Sequence, residues 1–167
     1  LISSETLIAF DEECTLNTLE RTELVADIEA AIREESDVGG TLSAATFAPE
    51  IPTAGNPPAD AAREAINAAL EDQRDNLKSQ HLLAIDGEKE LWRVTARIPA
   101  VHDLDYGVFT SRIEDRVAEA MQVRRQDGLQ HVTVRHTGMS PLINKATGQL
   151  LEDLSNSFIM AVLLICP

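Results

Sequence analysis

The chain has 167 residues, 44% of them hydrophobic, and a formal charge of −14 from 28 acidic and 14 basic side chains. This length suits one domain with a buried core. The acidic balance argues against nucleic acid as a partner and against docking on anionic lipid headgroups, because both need a basic surface. The two cysteines, Cys14 and Cys166, make neither a disulfide framework nor a zinc cage.

The first residues predict a strand followed by a helix. Residues 6–10, TLIAF, are typical of a short buried strand. Asn17 and Glu20 then form a capping box that starts a helix, and Gly39-Gly40 is expected to end it.

An insertion is predicted next. Residues 41–58 are rich in Pro, Ala and Gly and indicate a connection. Asn56-Pro57 then opens a second helix over about 59–79. The apolar stripe of this helix is thin, so we interpret it as an insert on the surface of the domain.

A β-hairpin gives the clearest local signal. HLLAI and LWRVTARI flank the turn Asp86-Gly87-Glu88-Lys89, and an Asp-Gly pair is typical of such turns. In the second arm, apolar residues from Trp92 to Ile98 alternate with polar ones, which predicts one buried and one solvated face.

The last third predicts a helix, a strand and a long helix. Asp105 is expected to cap the helix, whose apolar stripe comprises Phe109, Ile113, Val117 and Met121. Residues 129–136 indicate a strand with Val132 and Val134 inward. The long helix starts near Pro141, is amphipathic up to Ser157 and is apolar all round beyond it.

These elements predict an α+β fold. Without the insert, the order of strand, helix, strand, strand, helix, strand indicates a ferredoxin-like split βαβ fold, with four antiparallel strands and two helices. The predicted domain covers residues 1–138, with an inserted loop and helix at about 50–80. Residues 139–167 form a connecting helix that runs into a truncated transmembrane helix.

The sequence predicts no catalytic, cofactor or metal site, and it predicts that the chain is not an enzyme. His131 and His136 lie five residues apart in a strand, so they point to opposite faces and cannot chelate one ion together. The pair Asp103 and Asp105, or the triplet at residues 11–13, could touch a divalent cation, but acids at helix N-termini are expected from the helix dipole alone. No nucleophile elbow, phosphate loop or dinucleotide motif is present in the chain.

The C-terminal third resembles a known family. The segment VTVRHTGMSPLINKATGQLLEDLSNSFIMAVLLI (132–165) is similar to the part of RND-superfamily transporters, closest to the MMPL-like branch, that leads into a membrane helix. The family's "TG" step matches Thr137-Gly138, and an apolar-proline patch follows at residues 139–143. The step into the bilayer matches these residues: Ser157, Phe158, Ala161, Leu164 and Ile165. Residues 31–49 and 82–99 resemble earlier parts of the same branch in the same order.

The resemblance implies a function. Such proteins are proton-driven inner-membrane exporters of hydrophobic or lipid-like solutes, with two extracytoplasmic loops built around ferredoxin-like porter subdomains. This chain would be one such periplasmic loop, which contributes substrate passage and gating. Its partners would be the solute and the rest of the transporter, and association with further copies stays open. The family's proton-relay acids lie in membrane helices, so no catalytic or proton-carrying residue is carried over, and the sequence does not identify the substrate-binding residues.

Two alternatives remain at this stage. The chain could be a soluble small-molecule sensor domain with an ACT-like fold, or, less favoured, a metal-dependent enzyme on the same fold. The exporter hypothesis predicts that the reading frame continues from Pro167 into more apolar residues, and that another membrane helix ends just before Leu1.

Overall fold

The computed structural model of the chain describes residues 2–99, 105–123, 129–138 and 148–160. The strands are β1 (Ile2–Phe10), β2 (Gly40–Leu42), β3 (Leu83–Asp86), β4 (Lys89–Ile98) and β5 (Val132–Gly138). The helices are α1 (Thr18–Arg33), α2 (Pro57–Asp72), α3 (Arg74–Ser79), α4 (Tyr106–Val123) and α5 over residues 148–160. Short 3-10 turns occupy Ala44–Phe47 and Leu129–His131. The fold is therefore α+β.

One antiparallel sheet contains all five strands. β1 lies between β4 and β5, and its register places Ile8 opposite Trp92 on one side and Val134 on the other. Because side chains alternate along a strand, the apolar residues of the three strands share one face. Ile28 of α1 and Phe109 of α4 join them in a single core.

The opposite face of the sheet is called the open sheet face below. The even-numbered residues of β4 are buried, so its odd-numbered residues lie on this face, where Arg97 is exposed. The same alternation places Arg135 of β5 and Glu5 of β1 there. The open sheet face is thus polar, as expected for the solvated side of an antiparallel sheet.

The strand count corrects the prediction of four strands. Gly40–Leu42 pairs with β4 opposite residues 95–97, whereas β3 pairs with β4 opposite residues 89–92. β2 and β3 therefore share one edge of the long strand β4. The sequence prediction missed β2 because three residues are too few to show alternation, and tertiary pairing overrides local propensity.

The helix starts are confirmed, but two helix ends were predicted wrongly. Asn17 and Glu20 form the capping box of α1, and the Asn56 side chain accepts from the Ala59 backbone N–H at the start of α2. α1 ends at Arg33 rather than at Gly39. The helix predicted over about 59–79 is two helices, α2 and α3, separated at Gln73.

The insert is anchored more deeply than expected. Leu77 of α3 is 4% exposed and belongs to the main core, so the interpretation of a purely superficial insert was wrong. Leu70 of α2 is also buried. Arg63 of α2 binds the carboxylate of Glu23 on α1 through both terminal nitrogens, at 2.6 and 3.1 Å.

The hairpin and the third predicted helix are confirmed. Gly87 has a φ of +61° in the two-residue turn between Asp86 and Lys89. Glycine at the first central position is what a type II′ turn requires. Asp105 Oδ1 accepts hydrogen bonds from the N–H groups of Gly107 and Val108, so it caps α4. The stripe of α4 is buried at Phe109, Ile113 and Val117, with Met121 partly buried against the core.

Candidate functional site

Helix α5 presents its apolar side chains to solvent. Six large apolar residues on this helix are between 53% and 69% exposed: Leu150, Leu151, Leu154, Phe158, Ile159 and Met160. All residues of α5 are exposed. Single exposed apolar side chains are ordinary on protein surfaces, but a contiguous group of this size marks an interaction surface.

The residues predicted to lead into the membrane are only partly described. Ser157 and Phe158 lie on α5, and together with Leu151 and Leu154 they line one apolar surface on this helix. Ala161, Leu164 and Ile165 lie outside the described residues. Among the helices of the described part of the chain, none is both long and apolar enough to cross a bilayer.

A groove of about 620 Å³ runs between α4 and β5. Its walls are mostly apolar, and its lining comprises Val117, Ala118, Met121, Val132 and Val134, with Glu114, Thr133, Arg135 and His136 as the polar members. A volume of this order, apolar with a few polar groups, is typical of small-molecule sites. We call it the α4–β5 groove.

His136 lies in the α4–β5 groove and faces the interior. Its Nδ1 is 2.8 Å from Oγ1 of the buried Thr6, the residue paired with it on β1. Burial lowers the pKa of His136 below its ordinary value, and the nearby carboxylate of Glu114 opposes this shift. His136 therefore favours the neutral form, in which one ring nitrogen donates and the other accepts a hydrogen bond.

The buried carboxylate of Glu90 joins the insert to the core. It forms salt bridges with Arg21, at 3.1 Å, and with Arg74, and it accepts a hydrogen bond from Nε1 of Trp92. Burial alone would raise the pKa of Glu90, but the bonds from Arg74 and Trp92 and the charge of Arg21 outweigh it, so the pKa is lowered. A carboxylate held ionised by three side chains is suited to holding elements together, not to taking up a proton.

Two more buried carboxylates belong to Glu29 of α1 and to Glu35, two residues past its end. Glu29 accepts from the hydroxyls of Thr41, Ser43 and Thr46 and pairs with Arg33, which fixes β2 and the following 3-10 turn against the helix. Glu35 pairs with Arg112 and Arg116 of α4, each at 3.0 Å.

The structure brings His131 close to Asp11 and Glu13, but His136 and Asp105 lie elsewhere. Asp105 caps α4, and Asp103 lies outside the described residues. His131 Nδ1 is 3.2 Å from Asp11 and 3.4 Å from Glu13 at the start of β5, whereas His136 lies farther along the strand beside Thr6. No group of three or more metal-type ligands is found among the residues that the structure describes.

Comparison with known proteins gives no relative of established function. No family model matches the chain, and no curated protein matches it in sequence.

Proposed function

We propose that the chain is the extracytoplasmic, porter-like domain of a proton-driven inner-membrane exporter of the RND superfamily, of the MMPL-like branch. In this role the domain binds and gates the passage of a hydrophobic or lipid-like solute. Proton transport belongs to the membrane helices of the parent protein.

The observation that carries this proposal is the exposed apolar surface of α5. This helix follows β5 in the chain and exposes large apolar side chains, with Phe158 at 69% and Leu154 at 68%. Water does not stabilise such a surface, because each large apolar side chain transferred from water to an apolar medium gains about 1.5–3 kcal/mol. A bilayer supplies that medium directly beside a tethered domain.

The order of the strands is a second support. From one edge, β5, β1 and β4 are followed by β2 and β3, which share the fourth position. We interpret this sheet as ferredoxin-like, with the second strand of the fold divided between β2 and β3 by the insertion that contains α2 and α3. Ferredoxin-like subdomains are the units from which porter loops of this family are built.

The α4–β5 groove is the part of the domain that suits a hydrophobic solute. Its apolar wall and its volume of about 620 Å³ fit an acyl chain or a compact hydrophobic group. Met121 at the wall adapts to ligands of different shape, because methionine is unbranched and polarizable.

Flotation with phosphatidylcholine vesicles tests the role of α5. The full chain is expected to float with the vesicles, and the triple variant Leu151→Asn, Leu154→Asn, Phe158→Asn is expected to bind at least about 100-fold more weakly, since each change removes one to three kcal/mol of apolar transfer. Ile85 is a matched control, because it is 55% exposed and lies on β3. Ile85→Asn should bind like the wild type.

Anionic lipid in the same vesicles should not strengthen binding, because the chain carries a charge of −14. A wild-type chain that stays in the aqueous fraction would contradict the proposal. The solute itself is tested in the cell, where deletion of the gene should cause a lipid-like compound to accumulate in the inner membrane. An unchanged lipid profile would argue against export.

A further inference from the structure

Some basic residues in the described part of the chain form salt bridges and others do not. The arginines and lysine on the helices all form salt bridges with carboxylates: Arg21, Arg33, Arg63, Arg74, Lys78, Arg112 and Arg116. Of the cations within residues 2–99, 105–123, 129–138 and 148–160, three form no salt bridge: Lys89, Arg97 and Arg135. All three lie on the open sheet face.

The open sheet face is therefore basic on an acidic protein. Lys89, Arg93, Arg97 and Arg135 lie on this face with the carboxylates of Glu5 and Asp86, so cations outnumber acids there four to two. The rest of the chain is acidic, since the total charge is −14. The contrast makes this face the surface that an acidic partner would recognise.

Arg93, at the centre of this face, lacks a hydrogen-bond acceptor. Its Nε is buried without a partner, the one such buried side-chain atom among the described residues. Its salt bridge with Glu5 is long, at 3.8 Å. A buried donor without an acceptor costs about 1–3 kcal/mol. The Arg93 side chain as a whole is 30% exposed, so the accessible part of its guanidinium can pair with a carboxylate of a partner.

An acidic surface lies on the helical side of the same molecule. A groove of about 410 Å³ between α1 and α4 is lined by three acids, Asp27, Glu34 and Glu119, and by one cation, Arg116, which pairs with Glu34 at 3.4 Å. Its other members are Ala30, Ala31 and Ala120. Asp115 lies one turn before Glu119 on α4 and is also exposed. Alanines let a second chain approach closely, and the surrounding acids match guanidinium groups. We call this surface the α1–α4 acidic face.

We infer that the open sheet face of one copy of the chain docks on the α1–α4 acidic face of a second copy. The contact is head-to-tail: each copy offers one basic and one acidic surface, so pairing uses two different surfaces. Repeated contacts close into a ring or continue as an open chain. The inference stands on charge complementarity and does not depend on the exporter proposal.

Charge-reversed copies test the direction of the contact. One variant carries Arg97→Glu and Arg135→Glu and keeps the acidic face; the other carries Asp115→Lys and Glu119→Lys and keeps the open sheet face. Sedimentation velocity should show that the wild type self-associates at 0.15 M salt, and that each variant alone is at least about tenfold weaker in self-association.

Mixing the two variants is the most direct test of the proposed contact. The remaining wild-type faces should combine into dimers that grow no larger, because each variant has only one competent surface. All chains in this experiment, including the reference chain called wild type, also carry the three asparagine substitutions in α5. Apolar association through α5 therefore does not contribute. Lys78→Glu, a charge reversal on α3 away from both faces, is the matched control and should associate like the wild type.

Salt provides an independent readout. Association should weaken between 0.15 M and about 0.6 M salt, because ion pairs at a solvated rim are screened. A wild type that stays at the mass of one chain would overturn the inference. So would association that the reversals leave unchanged, or a mixture that behaves like the separate variants.

Discussion

Three buried carboxylates fix the helices and the insert on the sheet. Glu90 joins α1, α3 and β4 through Arg21 and Arg74, and Glu35 joins the end of α1 to α4 through Arg112 and Arg116. Buried charges are stable only when paired. Each of these carboxylates is therefore sensitive to the loss of its charge, because the arginines would lose their buried counterion and keep at most a more exposed one.

Glu90→Gln is expected to lower the free energy of unfolding by about 3 kcal/mol, since the amide leaves Arg21 without a counterion and Arg74 with only the longer pair to Glu71, at 3.5 Å. Urea unfolding measures this change. Asp75→Asn is the control: Asp75 pairs with Lys78, but its side chain is 93% exposed, so its loss should leave the free energy of unfolding nearly unchanged. Equal effects of the two substitutions would show that the salt bridges of Glu90 do not stabilise the fold.

The same variant has a predicted pH dependence. The pKa of Glu90 is lower in the folded protein than its ordinary value, so the folded state binds fewer protons than the unfolded state. The stabilising contribution is complete above the unfolded pKa and is lost as the pH falls through the folded pKa. The difference in stability between wild type and Glu90→Gln should therefore shrink on acidification, and a difference independent of pH would contradict the assignment.

These clusters could not be predicted from the sequence. The partners of Glu35 on α4 are as far as 81 residues away along the chain, and Arg74 is 16 residues from Glu90. Acidic side chains usually lie on the solvated surface, so nothing in the sequence marks these three as buried. Only the packing of α1 against α4 and of the insert against β4 decides which carboxylates are buried.

At the scale of elements, the hairpin between β3 and β4 depends on one glycine. Gly87 has a φ of +61°, and a Cβ added there meets no atom within 4 Å, so only the backbone conformation is restrictive. Gly87→Ala is expected to destabilise the chain by about 1 kcal/mol.

Gly40→Ala provides the control for this hairpin prediction. Gly40 also has no neighbour within 4 Å of an added Cβ, and its φ is not positive. The two variants are compared by thermal or urea unfolding. A Gly87→Ala variant as stable as Gly40→Ala would mean that the turn has relaxed to another conformation.

Local signals predicted the elements that have strong caps or alternation. The capping box of α1, the cap of α2 at Asn56 and the alternation of β4 all appear in the structure. β2 is absent from the prediction because Gly40–Leu42 becomes a strand only by pairing with β4. The burial of Leu77 was missed for a similar reason, since a thin stripe does not reveal that α3 packs beneath β3.

At the scale of the whole molecule, three surfaces of different chemistry point away from the core. The open sheet face is basic, the α1–α4 acidic face lies on the helical side, and α5 is apolar. The proposed porter role would use such a division, with separate surfaces for a bilayer, a solute and neighbouring domains. The overall charge and the apolar C-terminal segment were visible in the sequence, but the separation of charge between faces follows from the sheet register and the helix packing.

Insertion of α5 into a bilayer tests the central claim most directly. The chain has one tryptophan, Trp92, which is fully buried in the core and serves as an internal reference. Phe158→Trp places a second indole on α5, and Ile85→Trp places one at a site of similar exposure on β3. With vesicles of phosphatidylcholine brominated in the acyl chains, the fluorescence of the Phe158→Trp protein should be quenched, whereas that of the wild type and of Ile85→Trp should be unchanged. Equal fluorescence of all three proteins would contradict the account.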